Sequence, residues 1–185
     1  LFHVAKLETT AKLTDAVLKG QDIVLLLKLA RDDGDWTMRS LGEALDLDPA
    51  SVHRALRRLD EARLIDIKRR RVNRGRAEEF LLHGFQYVFP VHQKGTSRGL
   101  PTAWAAPPLS DELALPDDPP PVWPDAKGKT RGVAVEPIHA SVPALARRDP
   151  EMGERLALLD GIRLGDARVR KLASQHLVRR LDAGN

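Results

Sequence analysis

The sequence predicts a mainly α protein with a small β component, and two features of the 185-residue chain support this prediction. Apolar residues recur at steps of three and four near both ends of the chain, which is the spacing of one helix face. Between them, residues 101–124 hold eight prolines. Proline is disfavoured inside helices and central strands, so we expect this segment to be extended.

Three helices are predicted in the N-terminal part. The first covers residues 21–30, is apolar nearly all round and has Asp22 as its N-cap. Thr37 is suited to cap the second helix, MRSLGEAL, whose apolar residues are three and four apart. The third helix covers residues 49–62, with Asp48 as its N-cap and proline in its first turn, where a missing N–H costs nothing.

These helices are followed by the alternating stretch RLIDIKR, which is typical of a short strand. Two helices, a tight turn, a third helix and a strand are the order of a helix-turn-helix with a wing. Gly42 lies where the second helix must approach the third closely. Asp46 lies in the turn, where a left-handed backbone is required and aspartate is tolerated.

In that geometry the third helix would enter a major groove of DNA with its N-terminal half against the base edges. Arginine reads guanine through two parallel hydrogen bonds, whereas Ser51 could instead hold a phosphate. We expect the stretch KRRRVNRGR, residues 68–76, to form a loop that contacts phosphates or inserts arginine into a narrow minor groove. The candidate DNA-binding residues are Ser51, His53, Arg54, Arg57, Arg58, Lys68, Arg69, Arg70, Arg71, Arg74 and Arg76.

The positive charge of the chain is concentrated in the same region as the candidate DNA-binding residues. The chain has a net charge of +4, but residues 51–76 contain ten Lys and Arg against three Asp and Glu. This window therefore carries +7, and the remainder carries −3. An arginine-rich composition alone would spread the charge along the chain, so the concentration points to a polyanion partner.

The stretch SLGEALDLDPASVHRALRRLDEARLI resembles the helix-turn-helix of winged-helix bacterial transcription regulators, most of all those of the MarR and related groups. Ser51, Val52, Arg54, Leu56 and Leu59 match the Ser-Val-x-Arg-x-Leu-x-x-Leu pattern of their third helix. Two positions depart from the pattern, which commonly has glycine where this chain has Asp46 and Arg63. The resemblance covers about residues 20–72 and implies a DNA-binding, usually dimeric, regulator.

The rest of the chain has no such resemblance. A fourth helix is predicted over residues 76–88, and residues 91–104 are expected to be extended. The Pro-rich segment is either a linker or an extended arm packed on a surface. Its two tryptophans, Trp104 and Trp123, favour the packed arm.

Two amphipathic helices are predicted near the C-terminus, in PEMGERLALLDGI and GDARVRKLASQHLVRRL, with Gly165 between them. The chain is thus predicted to have three parts. Residues 1–90 form a winged helix-turn-helix domain, residues 91–142 form the Pro/Trp-rich arm, and residues 143–185 form a helical segment for dimerisation or partner binding.

Several functional classes find no support in the sequence. The absence of cysteine excludes disulfide scaffolds, thiol catalysis and cysteine-based zinc sites. His83 and His92 have no partner at metal-ligand spacing, and His176 lies on an apolar helix face. Neither a catalytic pair nor a phosphate-binding loop is evident. We therefore expect no enzyme activity, metal or cofactor. No apolar run is long enough for a membrane span and no secretory leader is visible, so a cytoplasmic location is expected.

Two functions from different classes follow. The first is a sequence-specific DNA-binding transcriptional regulator, homodimeric, which reads the major groove with helix 49–62 and the backbone or minor groove with residues 68–76. The second is an antitoxin-like or adaptor protein whose C-terminal half, residues 100–185, binds another protein. The two are compatible, since a chain can bind DNA and hold a partner.

Overall fold

The computed structural model describes residues 17–32, 34, 36–114 and 117–182. As predicted, the described chain is mainly helical with a small β component. Its N-terminal elements are α1 (Gly20–Asp32), α2 (Met38–Leu45), α3 (Pro49–Glu61), β1 (Ile65–Asp66), β2 (Arg71–Val72), α4 (Arg74–Glu79), a π-helical turn (Phe80–Gly84) and α5 (Phe85–Val88). Its later elements are β3 (Gln93–Pro101), a 3-10 turn (Ala103–Ala105), α6 (Leu109–Glu112), β4 (Pro121–Pro124), β5 (Thr130–Val135), α7 (Val142–Arg148), α8 (Pro150–Leu164) and α9 (Ala167–Asp182).

The ends of α2 and α3 have the predicted caps. The Thr37 hydroxyl accepts the N–H of Ser40 at 3.0 Å, and the Asp48 carboxylate accepts the N–H of Ser51 at 2.9 Å. Asp46 ends α2 with φ 55° and ψ 47°, the left-handed conformation that the turn was predicted to need. The turn between α2 and α3 is therefore fixed by local side chain–backbone hydrogen bonds and one short polar residue.

The predicted N-cap of the first helix is wrong. The helix begins at Gly20, so Asp22 lies inside its first turn and accepts the N–H of Lys19 at 2.7 Å. Gly20 lies just before the apolar pattern. A Cβ at this position would collide with the carbonyl group of Ile138. Only a glycine fits at this approach, and it extends the helix beyond the range that apolar periodicity indicates.

Strands β1 and β2 pair antiparallel and form a short hairpin after α3. Each strand has two residues, and residues 67–70 form the turn between them. Ile65 is opposite Val72, and Asp66 is opposite Arg71. Arg70 occupies the turn with φ 54°, and its guanidinium lies 4.6 Å from the ring centroid of Trp36. This cation–π contact holds the tip of the hairpin against the segment between α1 and α2.

Strands β3, β4 and β5 each pair with the other two, and we call this unit the strand ring. β3 is antiparallel to both neighbours, whereas β4 and β5 run parallel. Gly99 and Gly132 allow the ring to close, because a Cβ at either position would collide with the backbone of Trp123 or Pro120. The prediction of an extended arm over residues 101–124 is therefore incomplete, since β4 is a paired strand and two short helical turns precede it.

A buried carboxylate joins the strand ring to α8. Asp160 accepts hydrogen bonds from the Trp123 indole N–H at 2.6 Å, the Thr102 hydroxyl at 2.8 Å and Arg163 Nε at 2.8 Å. Burial raises the pKa of Asp160, and the charge of Arg163 and the three hydrogen bonds act against that rise. The indole of Trp123 is itself buried, in keeping with the packed alternative for the Pro-rich segment.

One hydrophobic cluster extends from Ile23 in α1 to Leu181 in α9. Polar contacts also join the N-terminal and C-terminal helices. Arg31 on α1 donates to both carboxylate oxygens of Asp149, just before α8, at 2.9 and 2.7 Å. Arg148 on α7 donates to the carbonyl of Ala44 at 2.6 Å. The N-terminal helices therefore share their core with the C-terminal ones. Within the described ranges, no helix has the length and apolar character needed to cross a membrane.

Candidate nucleic-acid interface

Helix α3 has a buried face and a charged face, as its sequence indicates. Its apolar residues are buried against the other N-terminal helices and are Val52, Ala55, Leu56 and Leu59. His53, Arg54 and Arg57 are exposed to solvent. Three of the predicted DNA-binding side chains therefore lie on the open side of the helix, where Arg57 is three residues from Arg54 and four from His53 and so neighbours both.

The N-terminal end of α3 has a small hydrogen-bonded cluster. The Ser51 hydroxyl donates to Asp48 at 2.5 Å and accepts from Arg54 Nη2 at 3.0 Å. The hydroxyl and backbone hydrogen bonds from Ser51 lower the pKa of the Asp48 carboxyl. Ser51, predicted as a possible phosphate ligand, is thus half-buried and already part of the helix cap. It orients Arg54 toward the beginning of the helix.

Arg57 has an intrahelical partner. Its Nη2 is 3.2 Å from Glu61, and the side chain of Arg57 remains 56% exposed. Exposed pairs of this kind contribute little stability because water and salt screen them. A phosphate or base edge could therefore replace Glu61 at low cost.

The prediction that Arg58 faces outward is wrong. Its side chain is 2% exposed and forms two hydrogen bonds with Asp22, from Nε at 2.7 Å and from Nη2 at 2.6 Å. Asp22 is fully buried. Arg58 therefore joins α3 to α1 and is removed from the candidate interface.

The basic stretch 68–76 has more regular structure than the predicted loop. Lys68, Arg69 and Arg70 lie in the hairpin turn, and Arg71 begins β2. All four are exposed. Arg70 is engaged with Trp36, and Arg69 approaches Asp66 at 3.7 Å, so Lys68 and Arg71 are the residues of the turn best placed for an outside partner.

The remaining two predicted residues belong to a helix. Arg74 is the first residue of α4 and is half-buried, whereas Arg76 is exposed in its first turn. Asn73 caps this helix, since its side chain accepts the N–H of Arg76 at 3.4 Å. The predicted fourth helix therefore begins two residues earlier than periodicity indicated, because the Asn73 cap was not recognised.

One exposed cation was missed by the prediction. Arg63 lies between α3 and β1 with φ 59°, and the sequence pattern commonly has glycine at this position. The left-handed backbone follows the end of α3 at Glu61, and the side chain is exposed. The departure from glycine was the available signal, since a bulky residue in that conformation is strained.

The nine basic residues of the 51–76 window other than Arg58 are exposed or half-buried. Eight of them belong to α3, the hairpin and the beginning of α4, which are consecutive in the chain, and Arg63 lies between α3 and the hairpin. Among the described residues, no group of three or more His, Asp or Glu is arranged to hold a metal ion. The site can therefore recognise an anionic partner by charge and hydrogen bonding. The chain matches no protein-family model, no curated protein and no solved structure.

Proposed function

We propose that this protein is a sequence-specific DNA-binding transcriptional regulator of the winged helix-turn-helix type. The observation that carries the proposal is the open face of α3, on which His53, Arg54 and Arg57 point to solvent immediately before a basic hairpin. In this arrangement α3 lies in the major groove and its arginines contact base edges. The resemblance to MarR-like regulators over residues 20–72 agrees with this assignment.

The hairpin has a different role from α3. Lys68 and Arg71 extend from a turn that is held against Trp36 through Arg70. Side chains on such a turn contact phosphates or enter the minor groove beside the helix. The hairpin therefore supplies affinity for any duplex, whereas α3 supplies preference among sequences.

The proposal is tested by selection from a random-sequence duplex pool, followed by affinity measurements on the selected and a scrambled duplex. The expected result is a selected motif that the protein binds at least roughly 1,000-fold more tightly than the scrambled duplex. The Arg57→Ala variant should lose about 1–3 kcal/mol on the selected duplex and little on the scrambled one. Equal affinity for both duplexes, with no enriched motif, would reject a sequence-specific regulator.

The proposal includes a cytoplasmic homodimer on a two-fold symmetric site, since most helix-turn-helix regulators bind paired half-sites. The exposed large apolar side chains Tyr87 and Val88, 78% and 50% exposed at the end of α5, support a subunit contact there. Light scattering should give the mass of two chains, and Tyr87→Asp should shift the mass toward that of one. A monomer at all concentrations would contradict this part.

A further inference from the structure

The strand ring carries a second basic surface that lies outside the helix-turn-helix. Arg98 on β3 is directly opposite Arg131 on β5 in the antiparallel register. Lys129 lies two residues before Arg131, and Lys127 lies in the β4–β5 loop. All four side chains are exposed. We call these four residues the ring cations.

The pairing of Arg98 with Arg131 is unfavourable for the fold. Residues directly opposite in an antiparallel pair have their side chains on the same face, with Cβ atoms about 4.5–5.5 Å apart, and like charges there are destabilising. Lys94, on the same strand, shows the usual solution, since its Nζ is 3.2 Å from Glu136. Among the described residues, no ring cation has an acidic partner at salt-bridge distance.

The ring cations are connected to the helix-turn-helix by three consecutive contacts. The N–H of Asp125 donates to the carbonyl of Arg98 at 3.1 Å, and the Asp125 carboxylate pairs with Arg147. The next residue, Arg148, donates to the carbonyl of Ala44 in the last turn of α2 at 2.6 Å. The turn that leads into α3 follows two residues later, at Asp46, so these contacts link β3 to the segment that precedes α3.

We propose that the ring cations form a second contact surface for the DNA backbone, which extends the interface beyond α3 and the hairpin. The inference rests on the proposed function and names a further part of the same DNA as the ligand. Unpaired guanidinium and ammonium groups on an exposed strand pair attract phosphates, and a phosphate between Arg98 and Arg131 would relieve their mutual repulsion. These contacts carry no base preference.

The test compares Arg131→Gln and the double variant Arg98→Gln/Arg131→Gln with Lys94→Gln. Lys94→Gln removes one positive charge from the same strand, but that charge is already paired with Glu136. Binding to one selected duplex and one scrambled duplex is measured by fluorescence anisotropy at several salt concentrations. Log K falls linearly with log salt, and each lost phosphate contact makes this negative slope less steep by about 0.9.

We expect the slope to become less steep by about one for Arg131→Gln and by about two for the double variant, equally on both duplexes, with no change for Lys94→Gln. The melting temperature of the ring variants should be unchanged or higher, because a repulsive pair is removed. Slopes that match the parent protein would overturn the proposal, even if Arg57→Ala still lowers specific binding and the proposed function stands. A parent protein that binds neither duplex would overturn both.

Discussion

Arg58 on α3 and Asp22 on α1 form a buried ion pair with two hydrogen bonds of 2.7 and 2.6 Å. The pair fixes the helix that carries the exposed arginines to the helix at the centre of the N-terminal core. The pair and the apolar face of α3 hold this helix in position, and the exposed arginines take no part in that packing. Neighbouring arginines of α3 thus differ in environment, since Arg57 is exposed on the candidate interface and Arg58 is buried beneath it.

Removing one partner of this pair should strongly destabilise the protein. Arg58→Ala leaves the Asp22 carboxylate buried without its main partner, and such changes cost about 3–5 kcal/mol. The free energy of unfolding in urea measures this loss. Arg57→Ala, one position earlier and exposed, is the matched control and should change stability by less than about 0.5 kcal/mol. Similar stabilities for the two variants would contradict the buried assignment of Arg58.

Replacing Arg63 by glycine should stabilise the protein. Its φ of 59° is costly for a residue with a Cβ, by about 1–2 kcal/mol, and glycine relieves this strain. Part of the gain is lost because glycine makes the unfolded chain more flexible, so we expect Arg63→Gly to stabilise the protein by about 0.5–1 kcal/mol. Arg57→Gly, inside the exposed face of α3, should destabilise it by about 1 kcal/mol. A destabilising Arg63→Gly would contradict the left-handed conformation.

Trp123 should contribute more to stability than Trp104. Its indole N–H donates to the buried carboxylate of Asp160, and a hydrogen bond to a charged group contributes about 1.5–3 kcal/mol. Trp123→Phe keeps most of the apolar volume and loses this bond, so we expect a destabilisation of about that size in urea unfolding. Trp104→Phe, at a half-buried position, should cost less than about 1 kcal/mol. If Trp104→Phe cost more, the Asp160 network would not be what holds the strand ring.

The ion pair between Arg31 and Asp149 should make stability depend on pH. Burial acts to raise the pKa of Asp149, but the hydrogen bonds from Arg31 and the Met152 N–H outweigh it and hold the pKa below its ordinary value of 3.8. A lowered pKa in the folded state stabilises the protein above that ordinary value, and this contribution is lost as the pH falls through the folded pKa.

The Asp149→Ser variant separates this charge from the capping role, since serine also caps helices. The difference in unfolding free energy between parent and variant should be largest near neutral pH and should shrink as the pH is lowered below about 4. Urea titrations across this range measure it. A difference that stays constant with pH would mean that Asp149 acts only as a cap.

The sequence predicted the elements whose signals are local. Thr37, Asp48 and Asp46 determine the ends of α2 and α3 through contacts with their own neighbours, so their types and spacing were sufficient. The burial of Arg58 was not predictable in this way, because its partner lies 36 residues away on another helix. Residue 58 adjoins the apolar stripe, and only the position of Asp22 turns it inward.

The strand ring could not be predicted from the sequence for a similar reason. β3 shows no clear alternation and pairs with two segments that follow 20 or more residues later, so neither its partners nor its closure has a local signal. Gly99 and Gly132 are needed for the close backbone approach, but a glycine in a strand fits many local structures. The pairing of Arg98 with Arg131 follows from the register of β3 and β5, which the sequence alone does not give.

Whether α3 reads DNA is decided by the affinity of the parent protein and of Arg54→Ala/Arg57→Ala for a selected and a scrambled duplex at two salt concentrations. We expect the parent protein to prefer the selected duplex at both concentrations. The double variant should lose that preference and keep its salt-dependent affinity for the scrambled duplex. If the double variant retained the parent's preference, α3 would not be the element that reads DNA, and the proposed function would be wrong.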